Sequence, residues 1–323
     1  MAVMGGFKYI LSLAAVLFVS INIGVQAQCS EGTIKEMEGI FVQNFTQNRA
    51  MAAMCLHSAF HDCWNGCNGA LFLPEEIVRP ENAGLPPLKP LLMPFASQFP
   101  CISIADLINS CAVTALKFLG GPEVPVYYGR LDRNVPDPAG LIPEPTMSLS
   151  ALISAFNAIG FTKENVVTLS GAHSVGVCHG VPMCPGHNNT FGNHYYKELI
   201  DGDFEGKLGT DIELLDDNTM RSLVQQYAND QQQFFDDFTT VFGKYISRIH
   251  CNQTSSGPCP LDDIGVSTPA PSPESVQPVS SEPSIPSNPF PAFGSEPSAP
   301  SEPSAPSSSS PFGSSSEPVF FPI

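Results

Sequence analysis

The chain has 323 residues, ten cysteines and a formal net charge of −17 at pH 7. This length is enough for one or two ordinary domains with a large hydrophobic core. The acidic balance argues against nucleic acid and anionic membrane surfaces as partners, because both repel a negatively charged protein.

The N-terminal segment has the pattern of a secretory signal peptide. Lys8 precedes an apolar run that ends near Gly24, and residues 25–27 form a small-residue cleavage pattern. The run is short for the alternative, a membrane anchor, and no later segment is apolar enough to span a bilayer. All ten cysteines lie beyond this segment. We therefore predict a secreted, extracellular protein with disulfide bonds. Three sequons would be glycosylated there: Asn44, Asn188 and Asn252.

The C-terminal segment changes composition from about Ile264 onward. It is rich in Ser, Pro and Glu, contains no Lys or Arg, and repeats SEPSAP at 295–300 and 301–306. Such a sequence cannot bury enough apolar surface to offset the entropy lost on ordering it, which predicts a disordered tail. This tail could contact the extracellular matrix. The predicted division of the chain is a signal peptide at 1–27, a folded domain at 28–262 and a tail at 263–323.

The folded domain is predicted to be mainly α-helical. Apolar residues recur at helical spacing, whereas period-2 alternation is scarce. Ser148 is a predicted N-cap, and Gly160 is the predicted stop of the same helix. The predicted helical stretches are 32–60, 102–121, 148–160 and 219–249.

Residues 57–73, HSAFHDCWNGCNGALFL, form the first candidate site. His57 and His61 are four residues apart, as in zinc sites of the HExxH type, but Ser58 stands where that motif has its general base. A zinc ion would also need a third ligand from elsewhere. A second interpretation is that both histidines cap or pack the end of a helix.

A third interpretation comes from a resemblance to a known family. FHDCWNGCNGALFL resembles the distal-histidine signature of the plant, fungal and bacterial haem peroxidase superfamily, in which FHDC precedes a GCDGS-type loop. VVTLSGAHSVG at 166–176 is similar to the proximal-histidine signature, and is the most specific match. Further segments resemble family motifs in the family's order: 80–85, 102–108, 120–132, 142–145, 191–200, 210–217 and 221–238. The resemblance covers about residues 28–250. It implies a secretory plant-peroxidase-like fold of two helical lobes that sandwich haem b.

The resemblance assigns roles to individual residues. His173 would bind the haem iron, and Asp211 would accept a hydrogen bond from its other ring nitrogen, which makes the ligand more basic. On the opposite face His61 would move the protons of hydrogen peroxide, and Asn82 would set the tautomer of that ring. Phe60 matches the distal aromatic residue of the family.

One position departs from the family pattern. The family has an arginine four residues before the distal histidine, and this chain has His57 there. Arginine is a permanent cation that stabilises negative charge as the O–O bond opens, whereas histidine ordinarily titrates near pH 6.5. We therefore expect a slow peroxidase, one that favours acidic conditions, or a haem protein whose activity has drifted.

The calcium sites of the family are also altered. Asp62 and Gly66 are retained, and Asn68 replaces an aspartate but still offers an oxygen ligand. On the proximal side Ser174 matches a hydroxyl ligand, but Gly192 replaces an aspartate. We expect one weak calcium ion near Asp62 at best, and none on the proximal side.

The resemblance also bears on the cysteines. Cys63–Cys67 and Cys29–Cys101 match pairs of the family, and Cys178 could close the shortened proximal loop with Cys184. Cys55–Cys111 and Cys251–Cys259 remain by elimination. Connectivity cannot be proved from sequence, and a free-thiol or metal-binding role is the alternative.

Together these features predict a secreted haem peroxidase, weakened by His57. It would use hydrogen peroxide to oxidise small aromatic or phenolic donors at the haem edge near Pro143. The alternative is a catalytically degenerate haem-binding or extracellular-matrix glycoprotein on the same scaffold. Retention of His61 with Asn82 favours the enzyme, because a protein that only binds haem has less reason to keep that pair.

Overall fold

The computed structural model describes residues 29–178 and 180–248, without the side chain of Cys178. The expected signal peptide and the expected Ser/Pro/Glu-rich tail lie outside these residues, and the predicted domain boundaries stay predictions. The described chain is mainly helical, as predicted. Its strands are β1 (Val177–Cys178) and β2 (Val181–Pro182), which pair antiparallel.

Two groups of helices follow one another along the chain. The first group is α1 (Glu31–Gln47), α2 (Arg49–Trp64), α3 (Pro74–Ile77), α4 (Leu88–Gln98) and α5 (Ile104–Phe118). The second group is α6 (Leu149–Ala158), α7 (Lys163–Ser170), α8 (His194–Asp201), α9 (Gly209–Glu213), α10 (Asn218–Asn229) and α11 (Gln231–Ile246). Short 3-10 turns occur at Ala70–Phe72, Pro80–Asn82 and Gly171–Ser174. Helices α2 and α5 form the centre of the first group, α7 and α10 that of the second, and α11 also packs on α2.

Two of the long predicted helices are each a pair of helices. Asn48 separates α1 from α2 with φ −140° and ψ 88°, and Asp230 separates α10 from α11 with φ −133° and ψ 96°. Both residues have short polar side chains that compete with helical hydrogen bonds and favour helix ends. At Asp230 the carboxylate accepts a hydrogen bond from the Gln233 amide, which starts the new helix. The apolar periodicity continues through both breaks, so pattern alone did not reveal them.

Helix α2 lies at the junction of the two groups. Every residue from Met51 to Trp64 is buried, including two histidines and an aspartate. The Tyr245 hydroxyl on α11 donates a 2.6 Å hydrogen bond to the Phe60 carbonyl, and the two rings stack with centroids 5.4 Å apart. Arg248 donates to the Cys63 carbonyl at 3.1 Å. These contacts fix the end of α2 that carries the candidate site.

Three disulfide bonds are present in the described chain: Cys29–Cys101, Cys55–Cys111 and Cys63–Cys67. The suggested bond between Cys178 and Cys184 is wrong, because Cys184 is a free, buried thiol. Its Sγ instead lies 3.5 Å from the His173 carbonyl oxygen. Cys251 and Cys259 lie outside the described residues. Among the described helices, none is long and apolar enough to cross a membrane.

The N-cap of α5 offers a test of local stability. Ser103 is buried, and its hydroxyl accepts a 3.0 Å hydrogen bond from the Asp106 amide. We expect Ser103→Ala to lower the free energy of unfolding by about 1 kcal/mol, because a buried amide loses its acceptor. Ser148 also stands at an N-cap, of α6, but makes no side-chain capping bond. Chemical denaturation of Ser148→Ala should therefore give nearly the wild-type value, and equal losses in both variants would contradict this account.

Candidate functional site

Four polar residues form a continuous buried chain beside α2. His57 Nε2 and His61 Nε2 are 2.7 Å apart, and His61 Nδ1 is 2.7 Å from Asn82 Oδ1. Asn82 Nδ2 donates at 2.8 Å to the backbone carbonyl of Glu76. All three side chains, His57, His61 and Asn82, are at most 4% exposed. The structure thus brings together three residues that the sequence places 4 and 21 positions apart.

These hydrogen bonds assign a tautomer to each histidine. Because the Asn82 amide nitrogen donates to the Glu76 carbonyl, its oxygen faces His61 and can only accept. The proton of a neutral His61 ring is therefore on Nδ1, and its Nε2 is an acceptor. The short contact between the two Nε2 atoms then requires His57 to donate from Nε2. His57 Nδ1 is left as the unprotonated nitrogen of that ring.

The second cluster surrounds His173, which follows α7. Its Nδ1 is 2.7 Å from Asp211 Oδ1, and the Tyr195 hydroxyl donates to the same oxygen at 2.7 Å. The other oxygen of Asp211 accepts from the Leu208 amide at 2.8 Å. His173 Nε2 is buried and has no hydrogen-bond partner among the described residues. One nitrogen of this ring is firmly oriented, and the other is left for a ligand.

A small cavity lies between the two clusters. It is lined by Leu56, His57, Phe60, Leu169, Ala172, His173, Phe238 and Phe242. The lining is apolar except for the two histidines, and among described residues it includes no lysine or arginine. His57 lines the cavity, whereas His61 is not among the described lining residues. Among the described lining residues, none is a lysine or arginine that could replace the arginine of the family pattern at position 57.

Burial changes the expectation for His57. Desolvation, and then the neighbouring His61 and His173 rings, hold the pKa of His57 well below its usual value. The ring is therefore neutral at neutral and mildly acidic pH. Our expectation that acidic conditions would supply a standing cation at this position is not supported by this environment.

The lowered pKa of His57 has a measurable consequence for stability. In the unfolded chain His57 takes up a proton near pH 6.5, and in the folded chain it does not. Stability is therefore lost as pH falls below about 6.5, by up to about 1.4 kcal/mol per pH unit from this group. We expect the free energy of unfolding of His57→Gln to depend less steeply on pH than that of wild type, in denaturation measured between about pH 5 and 7. His187→Gln, at an exposed histidine, is the control, and wild-type slopes in both variants would refute the assignment.

The loop after α2 holds the expected calcium ligands. Asp62 accepts hydrogen bonds from the Gly69 and Leu71 amides at 3.1 and 3.3 Å, and burial raises its pKa to about 8. Asn68 Oδ1 accepts from the Ala70 amide, while its Nδ2 donates to Asp137. Among the described residues no group of three or more His, Cys, Asp or Glu side chains is placed to hold a metal ion. These oxygens are occupied by N–H donors, and calcium at Asp62, Gly66 and Asn68 stays a prediction.

Two further predicted site residues lie away from the cavity lining. Ser174 is buried and its hydroxyl accepts from the Gly192 amide at 3.3 Å. Pro143 is buried in the segment between α5 and α6, which is joined to α9 where the Thr210 amide donates to the Pro145 carbonyl. Their expected roles toward a cofactor stay predictions.

Sequence reasoning missed two contributors to the site. Tyr195 holds Asp211 from a second side, and the Glu76 carbonyl orients Asn82. The YY pair within 191–200 was the available signal for Tyr195. No side-chain pattern could have indicated Glu76, since its contribution comes from the backbone.

Comparison with known protein families agrees with the geometry of the site. The profile of the Peroxidase family matches residues 37–230, which is more than half of the chain. The chain belongs to the peroxidase family. This confirms the family resemblance and, with the helical architecture, the predicted fold class.

Named relatives of this peroxidase-family chain come from plants and fungi. L-ascorbate peroxidase 2, cytosolic, of Arabidopsis thaliana is 37% identical over 178 residues, which cover 53% of this chain and 71% of that protein. A putative heme-binding peroxidase of Cryptococcus neoformans is 37% identical over 195 residues, or 56% of this chain and 62% of the relative. Probable L-ascorbate peroxidase 4, peroxisomal, of Oryza sativa is 33% identical over 228 residues, or 65% and 77%.

Proposed function

We propose that the protein is a secreted haem peroxidase that reduces hydrogen peroxide and oxidises small organic donors at a reduced rate. The observation that carries this proposal is the His173 ring. Its Nδ1 is held by Asp211, and its buried Nε2 has no hydrogen-bond partner within the described chain, beside a cavity that His57 lines from the other side. Packing alone does not require such an arrangement, because an unsatisfied buried nitrogen costs free energy.

The residues present fit a haem group. His173 Nε2 would bind the haem iron, Asp211 and Tyr195 would fix the orientation of the His173 ring, and the apolar residues of the cavity would contact the haem. When bound, the haem supplies the redox chemistry that takes electrons from the donor to peroxide. The protein's own part is to orient its ligand and to move protons on the distal side.

The distal residues can manage the protons of peroxide. His57, which lines the cavity, is joined to His61 through their Nε2 atoms, and Asn82 holds the orientation of His61. Neutral rings are suited to accept a proton. The described cavity lining contains no lysine or arginine, so negative charge that develops on peroxide is poorly stabilised. We therefore propose a slow enzyme.

The donor is proposed to be a small aromatic or phenolic compound, oxidised near Pro143. Ascorbate is the second candidate, because relatives that share 37% identity are named L-ascorbate peroxidases. The rival function is a degenerate haem-binding or matrix glycoprotein, which the departure at His57 favours. Secretion is supported by the three disulfide bonds, which form and persist in oxidising compartments.

The test is haem binding and donor oxidation by the full chain. We expect one haem per chain, and peroxide-dependent oxidation of a phenol or of ascorbate that is slow but saturable. His173→Ala should abolish stable haem binding, whereas the exposed His187→Ala should leave it unchanged. Haem bound without oxidation of either donor would favour the degenerate glycoprotein. Equal haem binding by His173→Ala and wild type would overturn the assigned ligand.

A further inference from the structure

Three tyrosines form a continuous row of rings that begins beside His173. The ring centroids of His173 and Tyr195 are 5.9 Å apart. Those of Tyr195 and Tyr196, which are neighbours on α8, are 4.9 Å apart, and those of Tyr196 and Tyr227 on α10 are 5.1 Å apart. All three tyrosines are at most 1% exposed. The row thus leads from the proximal side of the site through the core of the second group of helices.

The two ends of this row differ from its middle in the group that accepts the hydroxyl proton. The Tyr195 hydroxyl donates to the Asp211 carboxylate at 2.7 Å, and the Tyr227 hydroxyl donates to Asp237 Oδ2 at 2.8 Å. The middle hydroxyl, that of Tyr196, donates at 2.9 Å to a backbone carbonyl of α7. A carboxylate can take up a proton, whereas a backbone carbonyl is a very weak base. Of the three tyrosines, the two end ones can therefore release a proton to their partner when the ring is oxidised.

The Tyr227 end of the row is the one that lies near solvent. Asp237 on α11 is partly exposed, and its Oδ2 also accepts from Gln233 Nε2 at 3.0 Å. Burial raises the pKa of the Tyr227 hydroxyl, so this hydroxyl keeps its proton until the ring loses an electron. Asp211, by contrast, is 1% exposed and already accepts from three donors. A change of charge costs less near water than in the core, so oxidation is favoured at Tyr227.

We propose that Tyr227 is a redox-active residue, oxidised through Tyr196 and Tyr195, which in turn oxidises phenolic donors too large to enter the cavity. This proposal rests on the proposed function, whose hydrogen peroxide is the final electron acceptor. Tyr227 loses one electron, and its O–H bond breaks as the proton moves to Asp237 Oδ2. A donor phenol at the surface then returns one electron to Tyr227, the proton moves back from Asp237, and the donor's own hydroxyl proton passes to water. Two such rounds supply the two electrons that, with two protons, reduce one hydrogen peroxide to two waters.

The surface beside Tyr227 limits the class of donor. Asp236 and Asp237 are adjacent on α11, and Asp236 is exposed, as is Asp230 just before that helix. These carboxylates repel anionic donors and so favour neutral or cationic phenols. A phenol attached to a large polymer is excluded from a small cavity but can approach this surface. Small donors and polymer-bound donors would then be oxidised at different places.

The first test needs no haem. A flash-generated ruthenium(III) tris-bipyridine complex takes one electron from the haem-free full chain, and electron paramagnetic resonance measures the tyrosyl radicals that follow. We expect Tyr227→Phe and Asp237→Asn each to remove the same part of the radical signal, because one lacks the phenol and the other lacks its base. Asp236→Asn is the matched control, since this exposed neighbour accepts from Gln232 instead and should leave the signal unchanged. Equal radical signals in all four proteins would overturn the proposal.

The second test uses the haem-loaded chain, hydrogen peroxide and two neutral probes, free p-cresol and phenol groups attached to dextran. The quantity measured is the ratio of the oxidation rate of the dextran-bound phenol to that of p-cresol. We expect Tyr227→Phe to lower this ratio severalfold. Tyr127→Phe should leave the ratio at the wild-type value, because Tyr127 is an exposed tyrosine outside the row.

The outcomes distinguish the surface route from the proposed function. If wild type oxidises p-cresol but not the dextran-bound phenol, or if Tyr227→Phe keeps the wild-type ratio, the surface route fails while the peroxidase stands. If wild type oxidises neither probe, the proposed function fails and the surface route with it.

Discussion

Replacing His57 with arginine is expected to speed the reaction of the haem-loaded protein with hydrogen peroxide by about 100- to 1000-fold. The described cavity lining contains no lysine or arginine, and its two histidines are buried. A guanidinium at this position is charged at every working pH and would stabilise the anion throughout the reaction. It would also release His61 Nε2 from the hydrogen bond to His57. Stopped-flow absorbance with excess peroxide measures the rate.

Glutamine at the same position is the control for that result. His57→Gln retains a donor toward His61 but adds no charge, so the expected order of rates is arginine, then histidine, then glutamine. An arginine variant that binds haem normally and reacts no faster than wild type would show that the missing cation does not limit the enzyme. The limit on the reaction with peroxide would then lie on the proximal side.

Removing the carboxylate of Asp211 is expected to damage both stability and haem binding. Asp211 is 1% exposed and accepts from His173 Nδ1, the Tyr195 hydroxyl and the Leu208 amide. Asp211→Ala leaves three buried donors without an acceptor, which we expect to lower the free energy of unfolding by about 3 to 5 kcal/mol. Haem affinity should fall by about 10- to 100-fold, because the ligand ring loses its orientation.

Asp203→Ala provides the comparison, since Asp203 is exposed and accepts only the Glu205 amide in the described chain. It should unfold and bind haem like wild type. Urea denaturation and haem titration of both variants would settle the matter. If Asp211→Ala bound haem with wild-type affinity, His173 would not depend on this carboxylate, and the arrangement at 2.7 Å would be structural only.

Much of the fold and of the site could be read from the sequence because its signals are local. The proximal-histidine signature and the predicted N-cap Ser148 depend on short stretches, and α6 does begin after Ser148. Motif order then placed His61 near Asn82 and His173 near Asp211, and the structure has both pairs at 2.7 Å.

Other features depend on three-dimensional proximity and had no local signal. The breaks at Asn48 and Asp230 interrupt stretches whose apolar periodicity is continuous, so hydrophobic pattern could not reveal them. The bond between His57 and His61 follows from ring orientation on α2, not from spacing alone. Likewise the lowered pKa of His57 is a product of burial that composition does not report, and it does not support the expectation of an acid-dependent cation.

The most direct test of the account is the visible spectrum of the haem-loaded full chain before and after one equivalent of hydrogen peroxide. We expect a Soret band that requires His173 and that changes on addition of peroxide more slowly in wild type than in His57→Arg. A Soret band that peroxide leaves unchanged in both proteins would contradict the proposed peroxidase and leave a haem-binding relic. A spectrum that stays that of free haem after haem is added to the chain would contradict the assignment of His173 as the ligand.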